Sequence, residues 1–201
     1  MKIGIFGGAF NPVHKGHIQL AQNYFHKLSL DKLLFVPTAV PPHKTSEYLA
    51  PEKARLDMLN IAVKGKPYFE ITDIEFKRQG KSYTYDTLEQ LEKIYPNDEF
   101  FLIIGADQFL SFNKWYKWRE ILEKVTLCTC AREDENEKRK ILEFSNELEG
   151  LKKDRFFLLD VPVLKLSSSE VRDKIKNKTN VSDLLPDGVY EYIVKEGLYS
   201  V

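Results

Sequence analysis

Short apolar runs alternate with stretches of helical periodicity along most of this 201-residue sequence, and no other feature restricts its fold as strongly. Lys2 to Phe6 is a β-rich run, followed by a glycine-containing loop and then a helical pattern through Ile18, Leu20, Ala21, Tyr24 and Phe25. Leu33 to Val36 predicts a second strand ended by Pro37, and the proline-bearing stretch from Pro37 to Leu49 reads as a surface loop of the kind that binds ligands. Pro51 suits the first turn of a helix, on which Ala54, Met58, Leu59 and Ala62 form an apolar stripe. Phe69 to Ile74, Phe100 to Ile104, Val125 to Cys130 and Phe156 to Leu159 are further strand candidates, with helical segments between most of them. Strands alternating with helices imply parallel βαβ units. The expected fold is one α/β domain over residues 1–201, a doubly wound, mostly parallel sheet with helices on both faces. Ligands of such sheets sit beyond the carboxyl ends of the strands. There the first loop, the turn at Gly105 and the segment after Cys130 are expected to meet.

Composition narrows the function classes. Thirty basic residues balance thirty acidic ones, so there is no global field to draw in nucleic acid or an anionic membrane. A hydrophobic content of 43% supports a real core and argues against disorder. Cys128 and Cys130 sit in an apolar run without a second ligand pair, which reads as buried strand cysteines rather than zinc. The opening MKIGIFGGAF holds no apolar stretch long enough for a signal peptide or a membrane span, so the expected address is cytoplasmic. Glu133 to Lys153 is densely charged and reads as a solvated helix.

The strongest local signal is GGAFNPVHKGH, Gly7 to His17. A glycine turn that leaves a strand and enters a helix exposes backbone N–H groups to an anion, and phosphate is the natural occupant. Gly7 and Gly8 let the backbone approach closely and Pro12 stiffens the loop. His14 and His17, three apart at the helix start, face the same way. A metal pair needs a third ligand and none is near in sequence, so phosphate contact is the expectation and no protein-held metal is assigned. The loop lacks the Gly-Lys-Ser/Thr ending of a P-loop and the dinucleotide GxGxxG pattern. A second signal is LSSSEVR, Leu166 to Arg172. Ser167 can cap a helix with Glu170 placed as in a capping box, while Ser168, Ser169 and Arg172 add hydroxyls and a planar fork suited to phosphate.

An HxGH loop near the amino terminus with a downstream SSSxxR segment resembles the nucleotidyltransferase superfamily that binds ATP or CTP triphosphates. The spacing of the two, with VPTAVPPHK at Val36 to Lys44, GKSYTYDT at Gly80 to Thr87 and GADQF at Gly105 to Phe109, is similar to bacterial nicotinate-nucleotide adenylyltransferases. The match spans nearly the whole chain. It implies a Rossmann-like fold, and formation of nicotinate adenine dinucleotide and pyrophosphate from ATP and nicotinate mononucleotide, with Mg2+ bound mainly through the ATP phosphates. An ionised acceptor phosphate attacks the α-phosphorus directly, so neither a general base nor a covalent enzyme intermediate is required.

The resemblance assigns His14, His17 and Arg172 to catalysis through the triphosphate. Gly7, Gly8, Ala9, Phe10, Gly105, Asp107, Ser168 and Ser169 complete the ATP site, with Asp107 at nucleotide ribose hydroxyls. Lys44 is similar to the family lysine that meets substrate phosphate. Trp115 matches the residue that stacks on the pyridine ring, and Thr84 with the backbone of Tyr116 receives the carboxylate. The chain departs from the family pattern at Ser169, where threonine is common, and at AREDE after Cys130, where an Arg-Pro-Gly turn is usual; Arg132 is therefore left unassigned. Two rival readings remain open here. One is another member of the superfamily, acting on phosphopantetheine or transferring a cytidylyl group, and the other is a nucleotide-binding sensor without turnover. The aromatic stretch from Phe109 to Trp118 suits a ligand pocket or a homo-oligomer contact equally.

Overall fold

Six strands, β1 (Lys2–Gly8), β2 (Lys32–Pro37), β3 (Phe69–Ile71), β4 (Glu99–Ile103), β5 (Val125–Cys130) and β6 (Phe156–Leu159), form one sheet in the order β3-β2-β1-β4-β5-β6. Every neighbouring pair is parallel. The computed structural model describes residues 1–41, 49–78, 80–131, 135–160, 164 and 166–199. Lys44 and Arg132 lie outside the described residues. The chain winds outward from β1 to β3, returns to the centre at β4 and winds outward again to β6. This is the Rossmann-like, doubly wound order, and its switch point falls between β1 and β4, where the connections leave in opposite directions.

Side chains on each strand alternate between two cores. Phe6, Leu33, Phe35, Phe101, Ile103 and Cys128 face one core, closed by helices α1 (Lys15–Lys27), α2 (Glu52–Val63), α7 (Ser168–Lys176) and α8 (Val189–Lys195). Ile3, Ile5, Leu34, Val36, Leu102 and Leu127 face the other, closed by α3 (Thr84–Ile94), α4 (Ala106–Phe109), α5 (Trp118–Lys124) and α6 (Glu135–Glu147). Strands buried on both faces read as continuous apolar runs, so the sequence signal was a run and not an alternation. Cys128 and Cys130 are free, buried strand residues, and burial pushes the Cys128 thiol far above its ordinary value. No helix among the described residues is long and apolar enough to cross a membrane.

Four expectations need correction. The third strand ends at Ile71 and not at Ile74, because a turn closed by Phe76 N–H on Asp73 O at 2.9 Å takes over. Pro51, with ψ at 145°, is the N-cap of α2 and not part of its first turn. The charged helix spans Glu135–Glu147 and is anchored by Ile141, which is fully buried. Phe109 and Phe112 are fully buried too, so the aromatic stretch from Phe109 to Trp118 offers a pocket or a partner only the half-buried Trp115 and Trp118 and the exposed Tyr116.

One buried charge ties the loops over the switch point to the helix beneath them. Arg55 on α2 is fully buried, and its Nε donates to Ala50 O at 3.1 Å while Nη1 donates to Ala9 O at 3.0 Å and Thr38 O at 2.6 Å. Burial lowers its pKa, but a guanidinium stays charged under these conditions. Arg55→Met leaves three carbonyl acceptors without their donor, at about 1–3 kcal/mol for each one that stays buried. Urea denaturation is expected to show a loss of at least about 3 kcal/mol; a loss under about 1 kcal/mol would contradict this role.

Candidate active site

The residues between β1 and α1 carry the first motif to the switch point. His14 is the N-cap of α1 in an extended conformation, and it forms a reciprocal pair with His17. The His17 backbone N–H donates to His14 Nδ1 at 3.3 Å, and the His14 backbone N–H donates to His17 Nδ1 at 3.2 Å. This is a capping box built from two imidazoles, whose rings stack with centroids 3.6 Å apart. A ring nitrogen that accepts is unprotonated, so each neutral ring carries its proton on Nε2 and presents it as a donor. Gly16 leaves room for the stack, since a Cβ there would sit 3.1 Å from His14 Nδ1 and the ring would have to give by a few tenths of an ångström. Phe10 turns its ring into the core against Phe6, Phe35 and His17, so only its backbone shapes the loop.

The second motif closes on this loop from the far end of the chain. Ser167 caps α7 by accepting Glu170 N–H at 3.1 Å, while the return bond of the expected capping box is not made. Ser168 Oγ donates to Pro12 O at 2.9 Å. Arg172 Nη1 donates to Asn11 O at 2.7 Å and Nη2 to Ser169 Oγ at 3.1 Å. Asn11 Oδ1 in turn accepts from Ala50 N–H at 3.0 Å and from the Tyr199 hydroxyl at 2.8 Å. Burial pushes the Tyr199 hydroxyl well above its ordinary pKa, which keeps it a donor. Asn11 and Tyr199 escape a sequence reading because their partners are distant in sequence or are backbone atoms.

Around these groups lies a cavity of about 380 Å³, lined by His14, His17, Ser168, Ser169 and Arg172. A second cavity of about 310 Å³ is lined by Gly7, Gly8, Thr84, Asp107, Trp115 and Tyr116. Ala9, Pro41 and Gly105 border both, so the two are lobes of one cleft over the ends of β1 and β4. Each lobe is within the size range of small-molecule sites. Gly7, Gly8 and Asp107 thus border the second lobe and not the histidine lobe. Gly105 is the N-cap of α4, and a Cβ on it would come within 2.9 Å of Asp107 Oδ1. Any larger residue would only require that exposed carboxylate to shift. Thr84 opens α3, whose N-cap Tyr83 makes no side-chain capping bond. The first N–H groups of that helix are therefore not capped by Tyr83. Trp115 rests on Phe112 at 5.2 Å, and the half-exposed Tyr116 leans on Tyr83 at 4.8 Å.

The chain is similar to known proteins over nearly its whole length. The cytidylyltransferase-like family model matches residues 5–174. A Clostridium tetani protein named "Probable nicotinate-nucleotide adenylyltransferase" is 39% identical over 198 residues, covering 98% of each chain. A Carboxydothermus hydrogenoformans protein of the same name is 40% identical, again over 98% of each. Among solved structures, Plasmodium falciparum nicotinic acid mononucleotide adenylyltransferase complexed with NaAD superposes with a TM-score of 0.78 at 20% identity, over 98% of this chain and 97% of that one. That likeness shows the shared fold.

The reciprocal histidine pair fixes a tautomer, and the tautomer is measurable. Nitrogen NMR of 15N-labelled protein above the histidine pKa range is expected to show His14 and His17 both protonated at Nε2. A signal from Nδ1–H at either ring would contradict the geometry.

Proposed function

The chain belongs to the cytidylyltransferase-like family, and from that premise we propose that it transfers an adenylyl group from ATP to nicotinate mononucleotide, giving nicotinate adenine dinucleotide and pyrophosphate. The observation that carries this reading is the two-lobed cleft at the switch point. One lobe gathers donors for a triphosphate, and the other joins an aromatic wall to the first turn of α3.

The acceptor is a phosphate monoester, largely ionised at neutral pH and already a nucleophile. Its oxygen attacks the α-phosphorus as the bond from that phosphorus to the pyrophosphate oxygen breaks, so no protein group need take a proton. His14 and His17, through Nε2–H, and Arg172 stabilise charge on the departing pyrophosphate. Ser169, whose Oγ accepts from Arg172, keeps its own proton for a phosphate oxygen, while the Ser168 hydroxyl is committed to Pro12 O and holds the loop. No aspartate or glutamate lines the histidine lobe among the described residues, so Mg2+ fits there with oxygen ligands drawn from the phosphates and water. Mg2+ supplies charge neutralisation on those phosphates.

In the second lobe Trp115 stacks on the pyridine ring, and the backbone N–H groups at Thr84 and Tyr116 receive the carboxylate. Asp107 accepts from ribose hydroxyls. Lys44 meets substrate phosphate on the same family reading. The reaction belongs to NAD biosynthesis, and we place it in the cytoplasm.

Pyrophosphate release from ATP and magnesium is expected to be fast with nicotinate mononucleotide and slow with nicotinamide mononucleotide; no release with either would overturn the reading. His17→Ala is expected to lower kcat by roughly 100-fold, the scale of a lost transition-state donor. An unchanged kcat would remove His17 from that role. Trp115→Ala is expected to raise the acceptor KM more than the ATP KM, and equal effects would count against stacking.

A further inference from the structure

Behind the first turn of α3 lies a buried polar network that the adenylyl-transfer chemistry leaves without a task. The Thr87 hydroxyl donates to Glu75 Oε1 at 2.7 Å and accepts from Arg78 Nη2 at 3.2 Å. That same Nη2 reaches the carbonyl of Tyr83, the N-cap of α3, at 3.4 Å. Thr87 is 2% exposed and Glu75 is 7% exposed. Glu75 Oε2 and Arg78 Nη1 are buried without a hydrogen-bond partner among the described residues. Each such group costs about 1–3 kcal/mol, so a structure that keeps two of them in one network needs a reason.

The reason is found in what the network faces. Glu75 and Thr87 line the same lobe as Thr84 and Trp115. Arg55, fully buried, lies within electrostatic reach of Glu75. Glu52 reaches Arg55 more strongly than Glu75 does, so the charge that offsets Glu75 behind the first turn of α3 is Arg78, joined to it through the Thr87 hydroxyl. An entering carboxylate is repelled by Glu75 unless that charge is offset, and a neutral carboxamide is indifferent to it.

We infer that Glu75, Thr87 and Arg78 are positioning residues that set the preference for an acid over an amide acceptor. Thr87 and Arg78 lock the first turn of α3 in the orientation that receives the carboxylate. Arg78 also neutralises Glu75, which alone would repel that carboxylate. The inference rests on the proposed reading of this lobe as the acceptor site.

Steady-state kinetics of Thr87→Val, Thr87→Ser and Arg78→Gln with nicotinate and nicotinamide mononucleotides, each also with varied ATP, test it alongside thermal unfolding. Thr87→Val is expected to raise the acid KM about tenfold while the ATP KM stays within about twofold, and Thr87→Ser to restore it. Arg78→Gln is expected to lower the acid-to-amide ratio of kcat/KM about tenfold. Arg78→Lys, which keeps the charge and loses the fork, retains the acid preference if charge sets it. An unchanged ratio in Arg78→Gln, or parallel increases of both KM values in Thr87→Val, would overturn the inference and leave only a structural role. Wild-type protein that turns over neither acceptor would instead remove the underlying reading, and this inference with it.

Discussion

The site depends on a clasp between the two ends of the sequence. Arg172 and Ser168, at the start of a late helix, donate to the carbonyls of Asn11 and Pro12 in the first loop. A loop that must offer its N–H groups to an anion has carbonyls pointing the other way, and these need partners when buried. The second motif satisfies them, and in doing so brings its own fork and hydroxyls to the same cavity. Without that clasp the reciprocal histidine cap would stand on an unsupported turn. The sheet order makes the meeting possible, because the connections from β1 and β4 leave in opposite directions at the carboxyl ends of these central strands, where the first loop lies.

Pre-organisation runs through the whole cleft. Two imidazoles that cap each other's backbone lose rotational freedom before any ligand arrives, and donors fixed in advance need no reorganisation as charge develops. Arg55 plays the corresponding part below the loops by drawing Ala9, Thr38 and Ala50 to one guanidinium. Ser82 does so beside the second lobe, where its Oγ accepts the N–H groups of Ala39 and Val40. Catalysis by positioning asks for this kind of support, since the reaction needs little covalent help from the protein.

Much of the fold was legible in the sequence because strands buried on both faces must be apolar throughout. Val125–Cys130 and Phe156–Leu159 were readable to the residue, the second as an apolar run on a half-buried edge strand. The third strand was not, because Ile74 continues an apolar look into a segment that the Asp73 turn has already bent away. The histidines and the serine segment stood out as local patterns of chemistry. Asn11 did not, since an asparagine in a loop has no signature until Ala50, Arg172 and Tyr199 are seen converging on it. Glu75 and Arg78 were invisible for the opposite reason: charged residues near a turn look like surface, and only the fold reveals that Glu75 and one guanidinium nitrogen of Arg78 are enclosed. Gly16 belonged to a readable motif, but its purpose appears only with the His14 ring lying against it.

On the proposed reading, the cleft brings ATP and an ionised acceptor phosphate together for one direct displacement, with the protein supplying position and charge. The stereochemical course at the α-phosphorus, followed with ATP made chiral there by sulfur substitution, tests this most directly. A single in-line attack inverts the configuration. Net retention would require two displacements through a covalent enzyme intermediate, and would contradict the account.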